Sequence, residues 1–342
     1  MVLIVTSFHC KARTHIMIQY NFQKVRRDIV TVSVGLFRIM IPTLIAVKIA
    51  QEIGFDDVLV LLFEPLMSAM SLPASMAVIL VTTLLTNPYA GIIVATTIPE
   101  IADLSVGQMS ILGLFMLFTH GLPLEAMVSR RVGVQLWVVL LLRILTAFLS
   151  AICLAELFAL TGWYSAPASF DLLSIAALQT NDSLGAWLLS QIAAIAVIQF
   201  VIIVLVALLE LLHLLGVERF MTWLLSPVLR MMGIGDRAST IAIVGVTLGL
   251  SFGSGLLMKD VATGTIKKRD VFGVVCFVNL MHSVVEDTAV VMILGPSLFI
   301  LLAVRLFISV IITMAIMALA RRVPDALWRR YLTNDNIPAS AG

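Results

Sequence analysis

Met76-Ala-Val-Ile-Leu-Val-Thr-Thr-Leu-Leu85-Thr-Asn87-Pro88-Tyr89-Ala-Gly91-Ile-Ile-Val-Ala95 lies in an apolar run, 73–99, with a helix breaker at its middle. A second run, 237–260, is broken the same way by Ser251-Phe-Gly253-Ser254-Gly255. The arms on either side of each breaker are about 13 residues long and reach about 20 Å. A bilayer's hydrocarbon is about 30 Å thick. Each run is therefore expected to dip into the membrane and return on the side it entered.

Six further apolar runs, 29–51, 109–129, 132–160, 190–215, 270–295 and 297–320, are long enough to cross. Charge placement supports dividing the runs in this way. With the two broken runs re-entrant, eighteen of the 22 Lys and Arg fall on one side of the membrane, and only acids remain in the loops opposite (Glu100, Asp103, Asp171, Asp182). If all eight runs crossed, Arg130, Arg131, Arg219, Arg230 and Arg237 would lie on the wrong side.

Composition leaves little else open. Hydrophobic residues make up 61% of the 342, charged residues only 12%, and mean hydropathy is +1.09. Soluble domains carry about 25% charged residues, so the partner of this surface is the lipid bilayer. The segments do not alternate polar with apolar, which excludes a porin-like barrel. The net charge of +2, with scattered basic clusters, gives no nucleic-acid footprint. Cys10, Cys153 and Cys276 are too far apart for a disulfide framework or zinc spacing.

Adding 162 to the residue number superposes the scarce residues of the two halves without a gap. It takes Gly54 to Gly216, Pro65 to Pro227, Gly91 to Gly253, His120 to His282, Glu125 to Asp287 and Arg143 to Arg305. Two of the five histidines are matched. Three crossings per half is an odd number, so the halves insert upside-down relative to each other. The expected fold is an all-α membrane protein of two inverted-topology repeats. Each repeat has three full transmembrane helices, an interfacial amphipathic helix (54–72 and 216–234) and a re-entrant helical hairpin. The expected boundaries are a cytoplasmic leader 1–28, repeat 1 over 29–160, an extracytoplasmic linker 161–189, repeat 2 over 190–320 and a cytoplasmic tail 321–342. Both termini then face the cytoplasm of a bacterial inner membrane.

The candidate site residues follow from this plan. Asn87, Tyr89, Ser251 and Ser254 sit where helices break, and freed backbone groups there can grip a solute or ion; the bland alternative is a kink satisfied by its neighbours. Thr119-His120-Gly-Leu-Pro-Leu-Glu125 is matched by Asn279-Leu-Met-His282-Ser-Val-Val-Glu286-Asp287-Thr288. A carboxylate at mid-span costs at least about 2.5–3.5 kcal/mol on insertion scales, so it needs a partner or a task. His282 and Glu286, four apart, are expected to share a helix face. Each matched acid is followed by an arginine at the same interval, Arg143 after Glu125 and Arg305 after Asp287. That favours Glu125–Arg143 and Asp287–Arg305 pairs over capture of an anionic substrate. Arg38 is left to snorkel or to pair with Glu156 or Glu210.

Gly249-Leu-Ser-Phe-Gly-Ser-Gly255-Leu-Leu-Met, the basic loop Lys267-Lys-Arg-Asp270 and His282-Ser-Val-Val-Glu-Asp-Thr288 resemble the nucleoside recognition (Gate) domain family of bacterial multi-pass membrane proteins. That family includes the spore maturation proteins A and B, the membrane part of the ferrous iron transporter B and the gate segments of concentrative nucleoside transporters. The resemblance spans roughly 36–158 and 198–320, and implies a transport-like core whose hairpins hold the site. The cysteines that B-type iron transporters carry near their hairpin breaks are replaced here by Asn87 and Ser251 or Ser254.

Neither an ATP-binding loop, a His-Glu-x-x-His helix nor a nucleophile elbow occurs in the sequence. An enzyme is not expected and no cofactor is implied. The reading reached is a secondary transporter of a small polar or anionic solute, coupled to H+ or Na+ and compatible with a homodimer. The alternatives are a divalent-metal permease using His120, His282, Glu286 and Asp287, or a scaffold subunit without transport.

Overall fold

The structure is a computed structural model describing residues 2–169, 183–248 and 266–334, and all regular structure among them is helical. In chain order the helices are α1 (Val2–Glu52), α2 (Phe55–Ala69), α3 (Met76–Leu85), α4 (Pro88–Ala95), α5 (Val106–Thr119), α6 (Leu122–Arg131) and α7 (Leu136–Thr161). After the linker come α8 (Leu184–Leu214), α9 (Val217–Met231), α10 (Asp236–Leu248), α11 (Lys268–Met281), α12 (Glu286–Val291) and α13 (Arg305–Arg322).

Among the described residues, six stretches are long and apolar enough to cross a bilayer: Gln23–Glu52, Val106–Arg131, Leu136–Thr161, Leu184–Leu214, Lys268–Leu294 and Ile300–Arg322. The protein is an all-helical membrane protein. Burial sorts the stretches into layers. Val106–Arg131 and Lys268–Leu294 are 72% and 78% buried, against 17% and 22% for Gln23–Glu52 and Leu184–Leu214, so the first two form the centre and the last two its apolar exterior. Helix α5 packs on α7, α11 on α13, and α1 on α8.

The run 73–99 does not form a spanning helix. Helices α3 and α4 pack together, and α3, at 10 residues, is only about 15 Å long. Thr86 leaves helical geometry and Asn87 is extended; Pro88, without an N–H, then starts α4. The Asn87 side-chain oxygen accepts from Ala90 N at 2.9 Å, so this candidate residue serves as a helix cap. A Cβ at Gly91 would collide with Thr83 Oγ1, which explains a glycine where the two arms approach. Every residue of α4 is buried. The break of the second run, with Ser251 and Ser254, lies outside the described residues.

Elements recur at the sequence interval. Helices α2 and α9 have 15 residues each and start at equivalent positions of the two halves, as do the 14-residue α5 and α11. Gly54 and Gly216, which precede α2 and α9, have φ of 71° and 73°. Helices α1 and α8 run antiparallel. Lys24 Nζ pairs with Glu210 at 2.6 Å near one end, while Lys48 Nζ lies 5.9 Å from the Trp187 ring near the other. Glu210 therefore takes Lys24, not Arg38.

Candidate functional site

Both central spans break at a histidine. Helix α5 stops at Thr119, His120 is non-helical (φ −55°, ψ 147°), Gly121 is left-handed (φ 59°), and α6 resumes at Leu122. Helix α11 stops at Met281, His282 is extended (φ −74°, ψ 164°), and Ser283 takes the left-handed position (φ 47°). The expectation that His282 and Glu286 share a helix face is thereby overturned, because the chain turns at Ser283 and α12 starts only at Glu286. The freed N–H groups go to the neighbouring short helices: Gly121 N donates to Thr83 O at 3.2 Å and Val284 N to Val246 O at 3.1 Å. A left-handed conformation costs an L-residue about 1–2 kcal/mol and glycine almost nothing. Ser283→Gly is thus expected to stabilise the protein by about 1 kcal/mol. Gly121→Ala should destabilise it, since a Cβ there meets Glu125 Oε1 at 3.2 Å and Thr86 O at 3.3 Å. Thermal unfolding of the two variants in detergent checks both signs.

The carbonyls released at the two breaks are held by the buried arginines. Arg143 donates from Nε to Phe118 O and from Nη2 to His120 O, both at 2.7 Å, and its Nη1 forms an ion pair with Glu125 Oε2. Arg305 donates from Nε to Leu280 O at 3.0 Å and from Nη2 to His282 O at 3.4 Å and Leu117 O at 3.2 Å. Phe118 O matches Leu280 O under the sequence shift, and His120 O matches His282 O, so the arginines do equivalent work at equivalent helix ends. A cation suits the negative end of a helix that has lost its last partners. The expected Glu125–Arg143 pair is present. The expected Asp287–Arg305 pair is not: among the described residues Arg305 makes no salt bridge, because its guanidinium is turned onto backbone oxygens.

Asp287 instead crosses to the other half. His120 Nε2 and His282 Nε2 lie 3.0 Å apart. Asp287 Oδ2 is 3.2 Å from His120 Nε2, and Glu125 Oε1 is 3.0 Å from His282 Nε2 and 3.5 Å from His120 Nε2. Each histidine thus faces the carboxylate of the opposite half. His120, His282 and Asp287 are buried, and Glu125 is nearly so. Asp287 Oδ2, though close to His120, has no hydrogen bond of proper geometry.

The outer nitrogens fix the tautomers. His120 Nδ1 lies 3.2 Å from Met116 O and His282 Nδ1 3.0 Å from Val278 O. A carbonyl only accepts, so each Nδ1 carries a proton and each ring turns its Nε2 inward. His282 Nε2, Asp287 Oδ2 and Glu125 Oε1 all lie within 3.5 Å of His120 Nε2. Such a set of acceptors suits a positive charge, a proton included, between the two rings.

The remaining candidates surround the cluster. Tyr89, at the turn between α3 and α4, donates its hydroxyl to Glu286 Oε1 at 3.1 Å, so Glu286 faces the hairpin while Glu125 takes the place expected for it. Asn279 Nδ2 donates to Ser129 Oγ at 2.9 Å and Val275 O at 2.8 Å; its Oδ1 and the buried Thr288 Oγ1 have no partner. Ser129 and Thr83 were not singled out by the sequence. Their only signal was a hydroxyl in an apolar stretch.

No family model matches the chain, so its resemblance to the nucleoside recognition family rests on the residues quoted above. No solved structure matches it significantly either. The chain is 32% identical over 291 residues to the uncharacterized membrane protein YvoD of Bacillus subtilis (strain 168), an alignment covering 82% of this chain and 89% of that protein. The helical membrane architecture agrees with that likeness, and the chain belongs to the family of the membrane protein YvoD.

Proposed function

We propose that this protein is a secondary transporter of a small polar solute in a bacterial inner membrane, not an enzyme. Its two inverted repeats alternate about the buried His120–His282 pair, and the cluster takes the coupling cation, H+ or Na+. The observation that carries this reading is the reciprocal crossing of Glu125 to His282 and Asp287 to His120, between positions equivalent in the two halves. Such a crossing arises at the pseudo-two-fold axis of inverted repeats, where carriers of this architecture hold substrate and ion. The antiparallel run of α1 and α8, equivalent helices of the two halves, supports the inversion. So do the short α3 and α4, which enter the membrane and deliver Tyr89 to the cluster.

The anionic solute also expected from the sequence loses support. Arg143 is fully engaged within the protein and Arg305 is largely turned onto carbonyls, while the cluster itself offers acceptors. A cleft of about 340 Å³ between α1, α2 and α3 is walled by Val47, Phe55 and Thr86, and Thr86 O also lies against the break at Gly121.

Uptake into proteoliposomes under an imposed proton or sodium gradient tests the reading. Wild-type vesicles should accumulate a member of a panel of nucleosides and other polar solutes. Asp287→Asn, which keeps side-chain size and removes the charge, should reduce uptake to background while the protein still elutes as a folded species. Undiminished uptake by Asp287→Asn would remove the cluster from the mechanism.

A further inference from the structure

The geometry points to a divalent transition-metal site formed by His120 Nε2, His282 Nε2, Glu125 Oε1 and Asp287 Oδ2. The inference rests on the carrier reading for what the ion does there, as coupling ion or as cargo, but binding itself is independent of transport.

Three features carry it. First, the four atoms are all acceptors once both Nδ1 protons are committed to Met116 O and Val278 O. A ligating histidine almost always donates its other ring N–H to an oxygen in this way. Second, the spacing fits. Zn–N and Zn–O bonds of about 2.0–2.1 Å in a tetrahedron place ligand atoms about 3.3 Å apart. Four of the six edges of such a tetrahedron are 3.0, 3.0, 3.2 and 3.5 Å here, three of them meeting at His120 Nε2. His120, His282 and Asp287 present one ligand atom each within 4.8 Å of one another. Third, Asp287 Oδ2 is buried, aimed at the cluster and without a hydrogen bond. One proton shared by the two rings satisfies their mutual contact and leaves that oxygen unserved. An ion between the two rings serves that oxygen as well.

The outer shell is also assembled. Arg143 holds the second oxygen of Glu125 and the carbonyl of His120, and Arg305 holds the carbonyl of His282, so both histidines and one carboxylate are oriented from behind. Two imidazoles with two carboxylates suit first-row divalent ions such as Zn²⁺, Co²⁺, Fe²⁺ or Mn²⁺, with geometry and availability deciding among them. The ligand set differs from the one expected from sequence, since Glu125 replaces Glu286, which is held by Tyr89. His120 matches His282 and Glu125 matches Asp287 in the two halves, so the ion would sit between the halves and change its surroundings when they move.

Tag-free full-length protein in detergent, stripped with a chelator, should be titrated with Co²⁺ and followed by visible d–d absorption, with competition by Zn²⁺ and Mg²⁺. The expected result is one Co²⁺ per chain with an intense spectrum of low coordination number, displaced by Zn²⁺ and not by Mg²⁺. Asp287→Asn and His282→Gln should weaken binding by at least about 100-fold, beyond the roughly 10–100-fold that loss of an outer-shell partner gives. His213→Ala, at an exposed position, should leave it unchanged. Glu125→Gln is the added check should His282→Gln fail to fold. No saturable Co²⁺ binding by folded wild type, or unaltered binding by folded Asp287→Asn, overturns the metal site. Proteoliposome uptake separates the two readings: a solute carried with no metal bound keeps the carrier and removes the ion, and a bound ion with no transport of any solute does the reverse.

Discussion

Arg143→Met is expected to be among the most destabilising single substitutions in this protein, lowering its stability by about 3–5 kcal/mol. The side chain is fully buried, pairs with Glu125 and donates to Phe118 O and His120 O. Methionine fills much of the same volume but leaves an unpaired carboxylate and two undonated carbonyls in the membrane interior. Arg305→Met should do less harm, about 1–3 kcal/mol, because only backbone acceptors lose their donors and no carboxylate is stranded. Combining Arg143→Met with Glu125→Leu should recover a large part of the first loss, since the stranded charge goes too. Unfolding midpoints of the four proteins in one detergent measure the differences. Equal losses for the two single arginine variants would show that Glu125 is not what Arg143 is there to hold.

The two arginines also mark where sequence reading stops. Their depth, and their repetition at matched positions of the two halves, are visible in the chain, because a charge in an apolar span is conspicuous and costly. Their targets are not. Phe118 O, His120 O, Leu280 O and His282 O need donors only because α5 and α11 stop at the histidines, and nothing in Val278-Asn-Leu-Met-His282-Ser283 announces a stop. Gly121 signals the first break plainly, but Ser283 performs the same turn with a residue that ordinarily avoids it. With the second break hidden, His282 and Glu286 read as neighbours on one helix.

The crossing of carboxylates between the halves was equally invisible. Spacing along the chain pairs Asp287 with Arg305 in its own half, whereas His120 lies in the other half and is reached only through the packing of α5 against α11 and α12. The coarse fold was far more legible. Hydropathy locates eight apolar runs, and the breakers in two of them with the placement of Lys and Arg leave six crossings of about 20 residues each. Asn87-Pro88 declares the turn between α3 and α4 by its chemistry, an Asx cap followed by a residue with no N–H to donate. Lys24–Glu210, by contrast, joins two residues whose partnership depends on α1 lying antiparallel to α8.

That antiparallel run leads to the second large effect, an all-or-none change in accessibility across α5 and α6. Single cysteines introduced beside Glu100 and beside Arg130, in a background lacking Cys10, Cys153 and Cys276, should react with a membrane-impermeant maleimide from opposite sides of sealed vesicles. The reasoning is geometric. Helices α5 and α6, about 21 and 15 Å long and joined at the His120–Gly121 break, make up one apolar stretch long enough to cross the hydrocarbon once. Helices α3 and α4 extend about 15 and 12 Å and pack on each other with Gly91 against Thr83, so the pair is expected to return to the side it left. Glu100 then lies opposite Arg130 and Arg131, whose placement with the other basic residues follows the cytoplasmic excess of Lys and Arg. A third cysteine beside Asp236, preceding α10, should react from the same side as the one beside Arg130. A hairpin entered from the opposite leaflet in the second half requires that result. Labelling at Glu100 and Arg130 from one compartment would show that α5 and α6 together do not cross, leave an even number of crossings in the first half, put the halves in the same orientation, and leave the His120–His282 contact without a symmetry axis to explain it.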